Sequence, residues 1–405
     1  LDAAETSGRQ PERWLVITTL GVTQILAWGS TFYLPAVAAR PIVADTGWPL
    51  PLVVGGLSVG LLVAGLVSPS VGRMIHRRGG RPVLAASSAI FGLGLVCLGL
   101  APSLFAYFAA WVIIGVGMGA GLYDAAFATL GQSYGAAGRR AITSLTLIAG
   151  FSSTIMWPAG AWLIDHAGWR NTCLIYAAIQ ILVALPLHLL LMPDRTRIPA
   201  GPTEEDRTVG KPSSVLPRGG SSVFLVLAVA LSLGGVVAAV LSVHLIAMVQ
   251  GLGLDLVAAT ALAALIGPSQ VVARIGELAL ARMHHPLWTL VFAMGLITTG
   301  FALLLGPAGW IAVGIVLYGA GNGIQSIARG TVPLALFGPA NYAALMGRLG
   351  FPNLIAQALS PTLAAILLAD GDERMLLAIL TGIAGASLLL AILLLIKAGA
   401  APASR

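Results

Sequence analysis

Apolar residues run in long blocks along this chain, and the polar residues that break them recur in short islands. The blocks lie at 14–38, 50–72, 82–101, 104–130, 141–164 and 170–192, then at 222–250, 256–281, 287–306, 308–334, 341–369 and 374–397. Each is long enough to supply the roughly 20 helical residues that cross a bilayer. Lipid offers backbone amides no water, so such blocks predict helices. One long polar stretch, Pro193 to Ser221, is rich in Pro, Gly, Ser and charge and reads as a linker. The pattern therefore predicts an all-α membrane protein of 12 transmembrane helices. Its expected organisation is a tail at 1–13, a six-helix bundle at 14–192, a linker at 193–221, a second six-helix bundle at 222–397 and a tail at 398–405. Arg9 and Arg13 precede the first block without a small-residue cleavage site, so that block is expected to stay as an anchor.

Composition sharpens this picture. Only 9% of the 405 residues are Asp, Glu, Lys or Arg, against roughly a quarter in soluble proteins. The mean hydropathy is +0.93 and the pI near 9.9. Topology explains the basic excess better than nucleic acid does, because Lys and Arg accumulate on cytoplasmic loops. With both termini inside a bacterial inner membrane, Arg73, Arg77, Arg78, Arg81, Arg139, Arg140 and the linker cations all fall on the cytoplasmic side, and only Arg40, Arg170 and Arg374 fall outside. Cys97 and Cys173 read as small hydrophobes in packed helices, and the pair His284-His285 lacks partner ligands, so no metal or cofactor is expected. No cluster of catalytic side chains appears at either interface, which argues against an enzyme. Without a Walker-type loop, the expected driving force is a gradient.

The halves match each other. Shifted by 204 positions, Gly72, Arg78 and Pro82 land on Gly276, Arg282 and Pro286, and Gly117 and Gly119 land on Gly321 and Gly323. One residue further off, Asp165 lands on Asp370. A nearly constant offset over three regions suggests parallel six-helix repeats.

Charged and amide side chains at membrane depth face a cavity or a partner. Span eight carries Gln270, Arg274 and Glu277 on one face, span ten Asn322, Gln325 and Arg329, and span eleven Asn353, Gln357 and Ser360. Span one adds Gln24, Trp28, Thr31 and Tyr33, span four Asp124, and span seven His244. A guanidinium keeps its charge and binds carboxylates bidentately. Arg274 therefore either binds an anionic substrate, pairs with Glu277 one turn away, or belongs to a gate. Arg329 binds substrate or snorkels to phosphates. Asp124, Glu277 and His244 are candidates for carrying a proton. Asp124 has an alternative as a salt-bridge partner of the basic loop at Arg77–Arg81, and His244 one as a hydrogen-bonded interior residue. Trp28 and Tyr33 line a cavity or simply pack.

Six plus six helices with a central linker resemble the major facilitator superfamily. The loop after span two strengthens the resemblance: Gly72, Arg77, Gly79 and Arg81 match the superfamily's signature between helices two and three, with His76 in place of its acid. Within that superfamily the first half most resembles monocarboxylate transporters and oxalate:formate exchangers, through Trp28-Gly29, Gly-x-Gly with Tyr123, Gly138-Arg139-Arg140-Ala141 and Gly168-Trp169-Arg170. The resemblance implies alternating access around a central site, a cytoplasmic gate at Gly72, His76, Arg77, Gly79 and Arg81, and a substrate-binding Arg274 in helix eight. It implies a monomeric, proton-coupled or exchanging carrier whose partners are a small organic anion such as a monocarboxylate, the lipid bilayer and protons. A proton-driven efflux pump for drugs or toxic compounds is the alternative.

Overall fold

A computed structural model describes residues 13–193, 220–281, 283–369 and 373–397. The expected tails, apart from Arg13, and nearly all of the expected linker lie outside the described residues, as do Arg282 and Asp370 of the repeat comparison. Sixteen α-helices succeed one another: α1 (Arg13–Ser30), α2 (Leu34–Thr46), α3 (Leu50–Arg78), α4 (Gly80–Gly99), α5 (Leu104–Gly121), α6 (Tyr123–Tyr134), α7 (Gly138–Ala149), α8 (Ser152–Ile179), α9 (Leu185–Leu191), α10 (Gly220–Gly251), α11 (Leu256–Ala264), α12 (Ile266–Leu280), α13 (Pro286–Leu304), α14 (Ile311–Phe337), α15 (Tyr342–Ala369) and α16 (Glu373–Lys397). No strand occurs among the described residues.

Among the described residues, eleven stretches are long and apolar enough to cross a membrane. The longest, 138–191, is two crossings joined at Gly168, whose φ of 77° turns the chain where a side chain would be strained. The twelve predicted crossings are thus present. Several are assembled from two helices. Span one breaks between α1 and α2, span four between α5 and α6, and span eight between α11 and α12. The second block runs further than its hydropathy suggests, because its basic end stays helical to Arg78 and the turn into α4 is made by Gly79 at φ 83°.

The glycines aligned by the 204-residue offset do the same work in both halves. A Cβ on Gly117 would strike Phe91 of α4, and one on Gly321 would strike Ala293 and Ile297 of α13. A Cβ on Gly119 would strike Val67 and Ala64 of α3, and one on Gly323 would strike Gln270 of α12. Spans four and ten therefore approach equivalent neighbours at backbone distance, as small residues permit. Gly72 and Gly276 part company: Gly72 lies against Ala343 and Gly347 of the other half, whereas Gly276 has no neighbour that close.

The buried apolar side chains fall into two cores. One joins Val16, Leu20, Ile75, Leu84, Phe127, Ile142 and Leu145 of the first half to nearly the whole second half. The other, around Leu34, Phe91, Trp111, Ile114 and Cys173, belongs to the first half apart from Ala358 and Leu354 of α15. The halves share a core at the end that carries Arg73, Arg77, Arg78 and Arg139, called here the basic end. The most extensive helix contact across the halves is that of α3 with α15.

Candidate functional site

The seam between the halves gathers most of the polar residues picked out by the sequence. Span eight supplies Arg274. Within α12 the spacing puts Gln270, Arg274 and Glu277 on one face, and two of the three are buried. The Arg274 Nε donates to the Gly323 carbonyl at 3.2 Å, and Nη2 donates to Gln270 Oε1 at 3.3 Å. Nη1 is buried and has no hydrogen-bond partner. The residue is only 5% exposed. Its guanidinium reaches across the seam to Gly150, where a Cβ would strike Nη1. At 1.5 Å per residue, Gly150 stands roughly 18 Å from the basic end of α7, near the middle of an apolar layer about 30 Å thick. Two residues on from Gly150, Ser152 Oγ donates to the Ile25 carbonyl at 3.0 Å, one turn from Trp28, which stands beside Tyr33 and Tyr123.

Those tyrosines belong to an aromatic wall on the first half. The Trp28 ring lies 5.0 Å from Tyr123 and 6.0 Å from Tyr33, and Tyr33 lies 5.6 Å from Trp157. Trp28, Tyr33 and Tyr123 are half-buried and Trp157 is exposed. Gln24 stands behind this wall: its Nε2 donates to the Gly121 carbonyl at 2.6 Å and its Oε1 accepts from Trp28 Nε1 at 3.1 Å. Gly121 ends α5, and Leu122 takes an extended conformation before α6 begins. Gln24 therefore satisfies a carbonyl freed by the broken helix and orients Trp28.

The same break sets Asp124 in the first turn of α6, where the helix N-terminus favours negative charge. Asp124 Oδ2 accepts from Arg329 Nη2 of α14 at 2.6 Å, joining the two halves. In the amide orientation that satisfies its neighbours, Asn353 Oδ1 accepts from Arg329 Nη1 at 3.0 Å and Nη2 at 2.7 Å, and also from Gln357 Nε2 at 2.9 Å. Asp124 Oδ1 is buried without a partner, above a crevice lined by Ser68, Gly72, Ala128 and Gly347. Gly350 completes the fit: a Cβ there would meet Ser68 and Asp124.

Closer to the basic end, Glu277 accepts from Thr289 Oγ1 at 2.7 Å and stands 3.9 Å from Arg139 Nη2 and 3.5 Å from His284 Nε2. Arg139 Nη1 also donates to the His284 carbonyl at 2.8 Å. This second contact again ties the first half to the second. Beside it, the His76 carbonyl accepts from Gln132 Nε2 at 3.0 Å, and Arg77 and Arg81 are likewise engaged.

Several alternatives left open by the sequence are thereby decided. Arg274 does not pair with Glu277, Arg329 does not snorkel, and Asp124 pairs with Arg329 rather than with the basic loop. His244 is held by the Pro361 carbonyl at 2.9 Å between α10 and α15. Asn353 and Gln357 serve the Arg329 cluster, and both pack against Gly235 of α10. Gln325 fits against Gly234 with its Oε1 buried and unpartnered, and Asn322 and Gln270 are half-buried. Among the described residues no group of His, Cys, Asp and Glu could hold a metal ion.

Sequence reasoning missed three features. Gly150 carries no signal of its own; its importance lies in what touches it. Arg139 reads as one more loop cation until Glu277 is found opposite. His188 is buried between Ser88 Oγ and Thr23 Oγ1, each 3.0 Å away, and so binds spans one, three and six. An isolated polar residue in an apolar block was its available signal.

Comparison with known proteins agrees with this architecture. The family profile of the Major Facilitator Superfamily matches residues 19–332. An "MFS-type efflux pump" of Mycolicibacterium smegmatis is 28% identical over 218 residues, which is 52% of this chain and 49% of that protein. The match thus spans about half the length of that curated relative. The crystal structure of the human organic anion transporter MFSD10 (TETRAN) superposes with a TM-score of 0.73 at 17% identity, covering 95% of this chain and 100% of that one. The crystal structure of the transporter FucP, in the outward conformation, superposes with a TM-score of 0.70 at 12% identity, covering 93% and 98%. At such identities these structures show a shared fold.

Proposed function

The chain belongs to the major facilitator superfamily, and from that premise we propose that it is a secondary active transporter moving a small organic anion across the bacterial inner membrane by alternating access. The bundles at 14–192 and 222–397 rock against each other, with the linker 193–221, both tails and the basic end in the cytoplasm. Each chain contains both bundles and acts as a monomer.

One observation carries the substrate class. Three arginines reach the seam among the described residues. Arg139 faces Glu277 and Arg329 faces Asp124, but Arg274 meets only an amide and a carbonyl, and its Nη1 meets nothing. Taking a bare cation out of water costs several kcal/mol after relaxation. A carboxylate at Nη1 removes that cost and supplies a charge-assisted hydrogen bond. Gln270 orients the guanidinium, and Asn322 and Gln325 offer further amides from span ten.

Asp124 is the coupling residue in this reading. A proton on its unpartnered Oδ1 neutralises the carboxylate and weakens its grip on Arg329, which frees the basic end to open. Glu277 and His244 are each held by neighbours on other helices and take a supporting part.

The test is counterflow of a labelled monocarboxylate in proteoliposomes. Arg274→Ala is expected to abolish it, with Arg274→Lys retaining a fraction and both proteins remaining folded. Normal transport by Arg274→Ala would remove the main support for an anion. A second reading, a proton-driven efflux pump, is favoured by the name of the mycobacterial relative and by the aromatic wall. It requires an inward proton gradient to drive export of neutral or cationic compounds without dependence on Arg274.

A further inference from the structure

We infer that the anion carried by this protein bears an aromatic ring, so that the substrates are aryl or arylalkyl carboxylates rather than compact acids of the size of acetate. The inference rests on the reading of Arg274 as the anion-binding group and narrows it.

The guanidinium of Arg274 belongs to the second half, but it crosses the seam and comes to rest against the first. Two residues beyond Gly150, Ser152 Oγ donates to the Ile25 carbonyl at 3.0 Å, one turn from Trp28, so the guanidinium rests near a cluster of rings. Tyr33 and Tyr123 flank that indole. Trp28 lies between them, and Trp157 extends the surface beyond Tyr33. The rings sit at 49°, 38° and 78° to one another. Gln24 fixes the indole of Trp28 from behind. A compact carboxylate would satisfy Nη1 and leave this wall idle. A ring attached to the carboxylate would cover it, in the offset or edge-to-face geometries that aromatic pairs prefer.

Aromatic walls also attract organic cations through their π faces. Arg274 decides against that class here, since a second positive charge beside a buried, uncompensated guanidinium would be repelled. The one combination that uses both elements is a negative head with an aromatic body. Burying a phenyl-sized group predicts a gain of about tenfold or more in affinity over the matched short acid.

The experiment is a set of matched ligands on the purified full chain, read by thermal shift and by quenching of tryptophan fluorescence. The probes are phenylacetate, acetate, propionate, benzyl alcohol and benzylamine. The expected order places phenylacetate at least about tenfold tighter than acetate and propionate, with Arg274→Gln abolishing the binding of all three acids. Tyr123→Leu, with Tyr33→Leu as an independent second variant, is expected to collapse the phenylacetate-to-acetate ratio toward one. Equal affinity for acetate and phenylacetate, with both still dependent on Arg274, would overturn the aromatic inference and leave the anion reading standing. Preference for benzyl alcohol or benzylamine without dependence on Arg274 would overturn the anion reading itself. Absence of binding by any acid would sink both.

Discussion

The ion pair between Asp124 and Arg329 is the most informative place to perturb this protein. It joins α6 to α14 across the seam at 2.6 Å, with side chains 10% and 20% exposed. Asp124→Asn keeps the shape and removes the charge. Breaking one side of a fully buried pair costs about 3–5 kcal/mol. Arg329 is partly wetted and keeps Asn353, so about 2 kcal/mol is the reasonable share here. In the alternating-access reading, all of that cost falls on the state in which the basic end is closed, the state that makes the contact. The equilibrium should move about thirtyfold toward opening of that end. Spin labels at Arg140→Cys and Met283→Cys, in a background with Cys97 and Cys173 replaced, report the separation across the basic end. Both positions are exposed, and Asp124→Asn should populate a longer distance. Arg329→Gln should do the same, and the double variant should add little, giving a coupling energy of about 2 kcal/mol. Unchanged distances in Asp124→Asn, or single variants that simply add, would refute the latch.

Two further outcomes follow from contacts elsewhere. Gly72→Val places a Cβ 2.5 Å from the Ala343 carbonyl and 2.9 Å from Gly347 Cα, so α3 and α15 cannot close, and the same spin labels should separate without any change of charge. His285 precedes α13 and its Nδ1 accepts the Leu287 N–H at 3.2 Å. Burial, then the charge of Arg139 and then of His284, lower its pKa from the ordinary 6.5. The folded state therefore binds this proton less readily than the unfolded chain, so stability present above pH 6.5 should fall as the pH drops from there toward the lowered folded pKa. Thermal melts from pH 7.5 to 5 should show the decline, and His285→Gln should flatten that part of it.

The fold was legible because lipid enforces a rule that hydropathy can read. Every crossing was visible as a block, and the repeat was visible in glycines whose packing proves equivalent, Gly117 with Gly321 and Gly119 with Gly323. The helix breaks were less legible. Nothing in the apolar run from Leu104 to Leu130 marks Leu122 as extended, because the carbonyl it frees is satisfied by Gln24, far away in sequence. The same limit governs the site. The polar residues could be assigned to helix faces, but the partners of Arg274, Arg329 and Asp124 lie on other helices. Arg274 and Glu277 are one turn apart and look like a pair, yet each turns to a different neighbour. Local spacing names which residues share a face; only the packing of the halves decides which of them remain unpaired.

That unpaired guanidinium also constrains the transport cycle. In the proposed alternating-access cycle, the opposite end of the bundle closes over Arg274 before the basic end opens. Closing over an empty site would seal a bare cation in a low-dielectric interior, at a cost of several kcal/mol. Closing over a bound carboxylate seals a neutral, hydrogen-bonded pair, and much of the penalty disappears. The substrate therefore lowers the barrier to its own passage by differential interaction with the closed state, which is what a ligand must do to shift an equilibrium. The contacts at the basic end impose the complementary condition. Asp124 with Arg329 and Arg139 with Glu277 join the halves at that end, and in the proposed cycle both must part for it to open. A carrier built this way reorients slowly when empty and readily when loaded. In the proposed cycle, tight coupling of substrate to movement then arises from the charge left over at the seam.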